Sequence, residues 1–236
     1  MKKMHQIKLY GMASPNVRKI TIMLAELAQP YDFHHVNVFR GEQFTSEFSQ
    51  LNPNNKVPIL EYDAEGSRSK VVIFESAAIL IHLAEQFGQF LPTAEPQRSN
   101  VLQWLMIQAC NMGPMMGQLN HFSFAARQDN DYAFARYQRE ANRLYQLLDA
   151  QLAHAPYLAG EEISIADIAT YPWSLYLERH GFERDQFQHL CEWQQRMSHR
   201  PAVVKGMQAV EQTEAIDATA FASASPHDRD RFFGLT

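Results

Sequence analysis

The sequence predicts an α/β domain followed by an all-α domain. Strand and helix signals alternate through the first ninety residues, and strand signals then stop from Gln97 onward. Pro92 and Pro96 bracket the change, which places a linker at about 91–97. The expected domains are 1–90 and 97–210, followed by a C-terminal tail over 211–236.

Each element has its own signal. Ile7–Tyr10 reads as a short strand closed by Gly11. Asn16 precedes a helical pattern with Val17, Ile20, Leu24 and Leu27 on one face, ending before Pro30. Phe33–Val38 is a second strand. Arg40–Gln50 is polar, with Phe44 and Phe48 spaced as in a short helix. Val57–Tyr62 and Val71–Phe74 are strands, and Asp63-Ala64-Glu65-Gly66-Ser67 between them reads as a hairpin turn. Ser76–Phe87 is helical, with Ile79, Leu80, Leu83 and Phe87 on one side. The order is β-α-β-(α)-β-β-α. Beyond the linker, a helical segment runs from Gln97 to about Phe124, interrupted at Gly113-Pro114, because proline removes a helical hydrogen bond. Further helices run from Tyr132 to about Leu152, from Ser164, and over Phe187–Met197. After about Glu211 the chain is rich in Ala, Ser, Thr and Asp. Its weak amphipathicity predicts an irregular tail, with Phe232-Phe233 available to dock.

Composition narrows the function. The 236 residues are 46% hydrophobic and 20% charged, as in an ordinary globular chain. A net charge of -5 argues against a general nucleic-acid binder, which needs a basic face. No apolar run approaches the length of a membrane span. The basic start, Met1 to Gln6, leads into Ile7-Lys8-Leu9-Tyr10 rather than an apolar signal core, so a cytoplasmic location is the default. Two cysteines with no CxxC pair cannot staple a fold, so thiol chemistry would use a lone cysteine or a ligand's thiol. Cys110 and Cys191 both read as packed small side chains. The ten histidines show no ligand spacing, and no metal is expected.

Four motifs have chemical potential. Val57-Pro58, entering a strand, is a turn proline; a cis bond there would present the N–H and C=O of Val57 to an extended ligand. Glu75-Ser76 joins a strand to a helix. Ser76 reads as an N-cap, and the same helix start could take a carboxylate beside an ammonium held by Glu75. Ser14-Pro15-Asn16 joins the first strand to the first helix. Asn16 reads as its N-cap, and the alternative is that Ser14 or Asn16 hydrogen-bonds a ligand thiolate, whose pKa falls at a helix N-terminus. Ser164-Ile165-Ala166-Asp167 is a capping box, and its role is folding.

Together these residues resemble the glutathione transferase family over roughly residues 7–210. The resemblance implies a thioredoxin-like N-terminal domain and a helical-bundle C-terminal domain. Finer features are similar to the Nu-class, Ure2-like bacterial transferases: Gly41-Glu42-Gln43-Phe44, Asn52-Pro53-Asn54-Asn55-Lys56-Val57-Pro58, Leu102-Gln103-Trp104-Leu105, Gly113-Pro114-Met115-Met116-Gly117-Gln118 with His121-Phe122, and Arg136-Tyr137. That subgroup implies a glutathione-dependent disulfide-bond oxidoreductase, with weaker peroxidase activity and binding of two glutathiones or the disulfide form. The implied glutathione contacts are Asn16, Gln43, Lys56, Val57, Pro58, Glu75 and Ser76, with Arg136 contributed by a partner subunit of a homodimer. Asn16 and Ser14 would stabilise the thiolate. The second substrate is a small disulfide or electrophile, with no nucleic acid and no membrane. A conjugating transferase and a non-catalytic glutathione-binding scaffold are the alternatives. Val17 stands where the subgroup often has glycine, which implies added bulk near the ligand entrance. Met112, Met115 and Met116 are expected to line the second pocket.

Overall fold

The computed structural model describes residues 4–64, 69–124 and 130–235. Two compact units emerge, one from Met1–Phe87 with Pro201–Thr236, the other from Gly88–Arg200.

The first unit is built on a four-stranded mixed sheet of order β2-β1-β3-β4. The strands are β1 (His5–Gly11), β2 (Asp32–His35), β3 (Ile59–Asp63) and β4 (Lys70–Phe74). β1 runs parallel to β2, which requires a crossover, and α1 (Pro15–Glu26) supplies it. β3 and β4 are antiparallel, with Asp63 paired to Lys70. The expected turn residues Glu65, Gly66 and Ser67 lie outside the described residues. The second strand stops at His35, and Val38–Arg40 and Glu42–Phe44 form two short 3-10 turns before α2 (Ser46–Leu51). Val36, Val38, Phe48 and Ile59 form a buried cluster there. α3 (Ser76–Phe87) completes the unit's N-terminal part, with Ile79, Leu80, Leu83, Ala84 and Phe87 buried.

The end of the chain departs from expectation. The supposed tail is helical, and Pro201–Thr236 groups with the N-terminal unit instead of following a 97–210 domain. It contains α9 (Pro201–Gln208), α10 (Glu211–Ala222) and α11 (Pro226–Phe233). α9 lies tightly on α1: a Cβ on Gly206 would stand 2.4 Å from the Ile22 Cα, so this contact demands glycine. Thr21 Oγ1 donates to the Gly206 carbonyl at 2.7 Å. The tail's helicity is hidden because its buried face is small or polar. Thr213, Asp217, Ala220 and Ala224 are buried, and they give little hydrophobic contrast.

The second unit is all helical: α4 (Gln97–Ile107), α5 (Gly113–Phe124), α6 (Asp131–Leu152), α7 (Ile165–Ser174) and α8 (Gln188–Ser198). The expected break at Gly113-Pro114 is a π-helical turn over Gln108–Met112 that leads directly into α5. α7 is buried along its whole length. Its capping box forms as expected: Asp167 accepts the Ser164 N–H at 3.0 Å, and Ser164 Oγ accepts from Ala166. Asp167 also accepts from the Leu158 N–H at 2.9 Å and Trp193 Nε1 at 3.0 Å, so one carboxylate ties α7 to a loop and to α8. Met112 and Met116 are core residues of this unit, not exposed pocket lining. Among the described residues, no helix is long and apolar enough to cross a membrane.

Candidate functional site

The sheet register brings the motifs to one edge. Gly11 pairs with His35, Tyr10 with Ile59, and Ile59 with Phe74. The segments that continue from these strand ends are Met12–Asn16, Lys56–Pro58, Glu75–Ser76 and the turns after His35. Four stretches separated in sequence therefore start from neighbouring points, and α1 and α3 both begin there. Two helix N-termini give that edge a positive character suited to an anionic ligand.

The cap of α1 is Ser14 rather than Asn16. Ser14 Oγ accepts the Val17 N–H at 3.4 Å, and Pro15 takes the first helical position, where a missing N–H costs nothing. Asn16 is half-buried in the first turn. Val17 is fully buried, with its methyls pressed on Gly11, where an added Cβ would lie 2.7 Å from Val17 Cγ1. Its bulk goes into the core, not to the ligand entrance.

The cap of α3 is displaced as well, here by one residue. The Glu75 carbonyl accepts the Ile79 N–H at 3.0 Å, so Glu75 holds the cap position and Ser76 is the first helical residue. Glu75 has φ of 71°, a left-handed conformation rarely used by a residue other than glycine. It is exposed, and Asn54 Nδ2 donates to its carboxylate at 3.1 Å. Ser76 is buried and accepts a hydrogen bond from Lys19 Nζ at 3.2 Å. Burial brings the Lys19 ammonium down to about 7, against the pull of the Glu75 carboxylate. Among the described residues, Ser14 and Ser76 each accept one protein hydrogen bond and keep a hydroxyl proton to donate.

Val57–Pro58 is a cis peptide. Pro58 is buried, Val57 half-buried and Lys56 exposed. The loop before them is held internally: Asn52 Nδ2 donates to the Lys56 carbonyl at 2.7 Å, and Asn52 Oδ1 accepts the Asn54 N–H. Gln43 lies buried in its 3-10 turn, and its Oε1 has no hydrogen-bond partner among the described residues. Arg136 is exposed on α6, in the helical unit.

Lys19 carries no local signal of its contact with Ser76: in sequence it is one polar residue next to Ile20 on an amphipathic helix. The cysteines differ from expectation in part. Cys110 is exposed, whereas Cys191 is half-buried, and burial pushes its thiol up. Among the described residues, no group of three metal-ligating side chains converges.

The N-terminal domain model of glutathione S-transferase matches residues 13–86, and the C-terminal domain model matches residues 113–201. Disulfide-bond oxidoreductase YfcG of Escherichia coli is 41% identical over 197 residues, covering 83% of this chain and 92% of YfcG. The chain belongs to the glutathione transferase family. Among solved structures, a family member from Pseudomonas fluorescens with two glutathiones bound is 36% identical. It has a TM-score of 0.80, with 86% of this chain and 92% of that one covered. A glutathione transferase from Pseudomonas putida, with one glutathione disulfide bound per subunit, is also 36% identical at a TM-score of 0.80, covering 86% and 91% of the two chains. The mixed sheet with its crossover helix, followed by a helical unit, is the transferase architecture that the resemblance implied.

Proposed function

We infer that this glutathione transferase reduces disulfide bonds, with glutathione supplying the thiols. The observation that carries the reading is the convergence of Ser14, Asn16, Val57, Pro58, Glu75 and Ser76 at one sheet edge. Both cysteines belong to the other unit, Gly88–Arg200. The names of YfcG and of YghU, 35% identical over 215 residues, support the same activity.

In this reading Glu75 takes the α-ammonium of the γ-glutamyl group, and Ser76 with the α3 N-terminus takes its carboxylate. Val57 bonds the cysteinyl backbone, and Lys56 and Gln43 meet the remaining peptide. The thiol lies at the α1 N-terminus, where the dipole and donors from Ser14 and Asn16 favour the thiolate. That thiolate attacks a substrate disulfide, forming a mixed disulfide and releasing one substrate thiolate. A second glutathione thiolate attacks the glutathione sulfur, giving glutathione disulfide and the second substrate thiolate; both leaving thiolates take up protons from water. The protein supplies position and a lowered pKa, not a nucleophile.

The reading extends to a cytoplasmic homodimer in which Arg136 reaches the partner's ligand. The test is turnover of a small glutathione mixed disulfide against an aryl halide. Reduction of the disulfide supports the reading. Turnover of the halide alone makes the protein a conjugating transferase, and binding without any turnover makes it a scaffold.

A further inference from the structure

Asp217 lies on α10, 204 residues from Ala13, and is only 5% exposed. One carboxylate oxygen accepts the Ala13 backbone N–H at 3.0 Å. The other accepts from His35 Nε2 at 2.8 Å. A buried carboxylate needs such donors, because burial without them is strongly unfavourable. What it holds is the residue before Ser14. Within the same turn the Ser14 N–H donates to the Met12 carbonyl at 2.8 Å, and the Val36 N–H donates to the Gly11 carbonyl at 2.8 Å. Three successive residues are thereby tied: Gly11 to the chain after β2, Met12 within the turn, and Ala13 to α10.

The same helix pair grips the chain that carries Gln43. Arg40 Nη2 donates to Ser223 Oγ at 2.8 Å. The Arg231 guanidinium stands 4.5 Å from the Phe44 ring centre, and Phe39 packs against Phe221 and Phe232. Arg18, in the first turn and a half of α1, is paired with Glu214 and donates to the Met207 carbonyl. α10 and α11 therefore contact both loops assigned to glutathione.

We propose that the C-terminal helix pair is part of the glutathione site, and that Asp217 is a positioning residue that fixes the Met12–Ser14 turn and so the placement of Ser14 and Asn16 toward the bound thiol. The inference rests on the glutathione reading of that edge. Its physical basis is geometric: a turn free to shift by about an ångström would misplace both thiolate donors, and such shifts can cost about a hundredfold in rate. Asp217 bonds Ala13 and His35, whereas the γ-glutamyl end is assigned to Glu75 and Ser76, so overall glutathione affinity should change little.

Three full-length variants test it. Asp217→Asn keeps an oxygen for the Ala13 N–H and removes the charge. Asp217→Glu keeps the charge and displaces the carboxylate by one methylene. Asp217→Ala removes both contacts. Disulfide turnover, glutathione affinity by calorimetry, and thiolate absorbance of bound glutathione across pH are measured on each, with folded fraction from circular dichroism. The expected result is near wild-type kcat for Asp217→Asn. Asp217→Glu and Asp217→Ala should lose at least about tenfold in kcat with a raised thiol pKa and glutathione affinity within about threefold. If Asp217→Ala fails to fold, the Asn and Glu variants still decide. Equal rates in those two, or a loss in Asn that Glu does not share, overturns the proposal. A wild-type protein that binds no glutathione instead removes the site reading itself, and this inference falls with it.

Discussion

Lys19 and Ser76 meet across 57 residues of sequence, the buried ammonium donating to the serine hydroxyl at 3.2 Å. The contact joins the first helix to the start of α3 and orients a hydroxyl whose proton remains available. Ser76→Ala should weaken glutathione binding by about 1–3 kcal/mol, the cost of a hydrogen bond to a charged group. Lys19→Met should raise KM for glutathione about tenfold with a smaller change in kcat. Its effect on stability has a defined sign. The native lysine loses its proton near 7 and the unfolded one near its ordinary 10.5, so the cost of the buried charge is full below 7 and fades as pH rises through that interval. The methionine variant should therefore gain most over wild type below pH 7, measured by thermal unfolding across pH. Unchanged calorimetric affinity in Ser76→Ala removes this pair from the site.

The two thiolate donors proposed, Ser14 and Asn16, can be tested separately. Asn16→Ala should slow turnover at neutral pH and raise the pKa of the bound thiol, followed by thiolate absorbance. Ser14→Ala should do the same and also loosen α1 by about 1 kcal/mol, because Ser14 is its cap. If neither variant shifts the thiol, the helix N-terminus alone remains as its stabiliser.

Protein thiols are dispensable in this mechanism. A Cys110→Ala/Cys191→Ala chain should retain most of its disulfide reductase activity. Loss of turnover with glutathione affinity and fold intact would mean that a protein cysteine carries the chemistry.

Arg136 is the residue assigned to a partner's ligand, and its planar fork suits a carboxylate. Mixing an Arg136→Ala chain with a Ser76→Ala chain distinguishes the arrangements. Contact across a dimer leaves the heterodimer with one intact site and one doubly damaged site. Two singly damaged sites would place the arginine's action within its own subunit or nowhere.

His180 should make the helical unit acid-sensitive. It is buried, with Tyr145 Oη at 2.9 Å from Nδ1 and Asn120 Oδ1 at 3.2 Å from Nε2. Burial pushes its imidazole down to about 4, with Arg179 adding to the shift. The unfolded histidine takes its proton near 6.5 and the native one resists until about 4, so stability falls as pH drops through that window. The loss amounts to about 3 kcal/mol. Denaturant unfolding between pH 4 and 7 should show it, and His180→Gln should flatten the dependence.

The sequence by itself determined the class of fold and marked the motifs from which the proposed site is built. Apolar residues at strand and helix spacing are local signals, and Val57-Pro58, Glu75-Ser76 and Ser164–Asp167 are contiguous motifs, so each was legible in place. The α1 cap shifted by two residues, from Asn16 to Ser14, because both are good caps and the backbone geometry at Pro15 selects between them. Tertiary structure alone decided Lys19, whose partner Ser76 is remote, and the helicity and placement of α10 and α11. α10 buries Thr213, Asp217 and Ala220 and is held partly by hydrogen bonds to Ala13, His35 and Arg40, while α11 packs Phe232 against Phe39. A helix that docks through polar contacts leaves no hydrophobic stripe in its sequence, and its partners are named only when the chain has folded back upon itself.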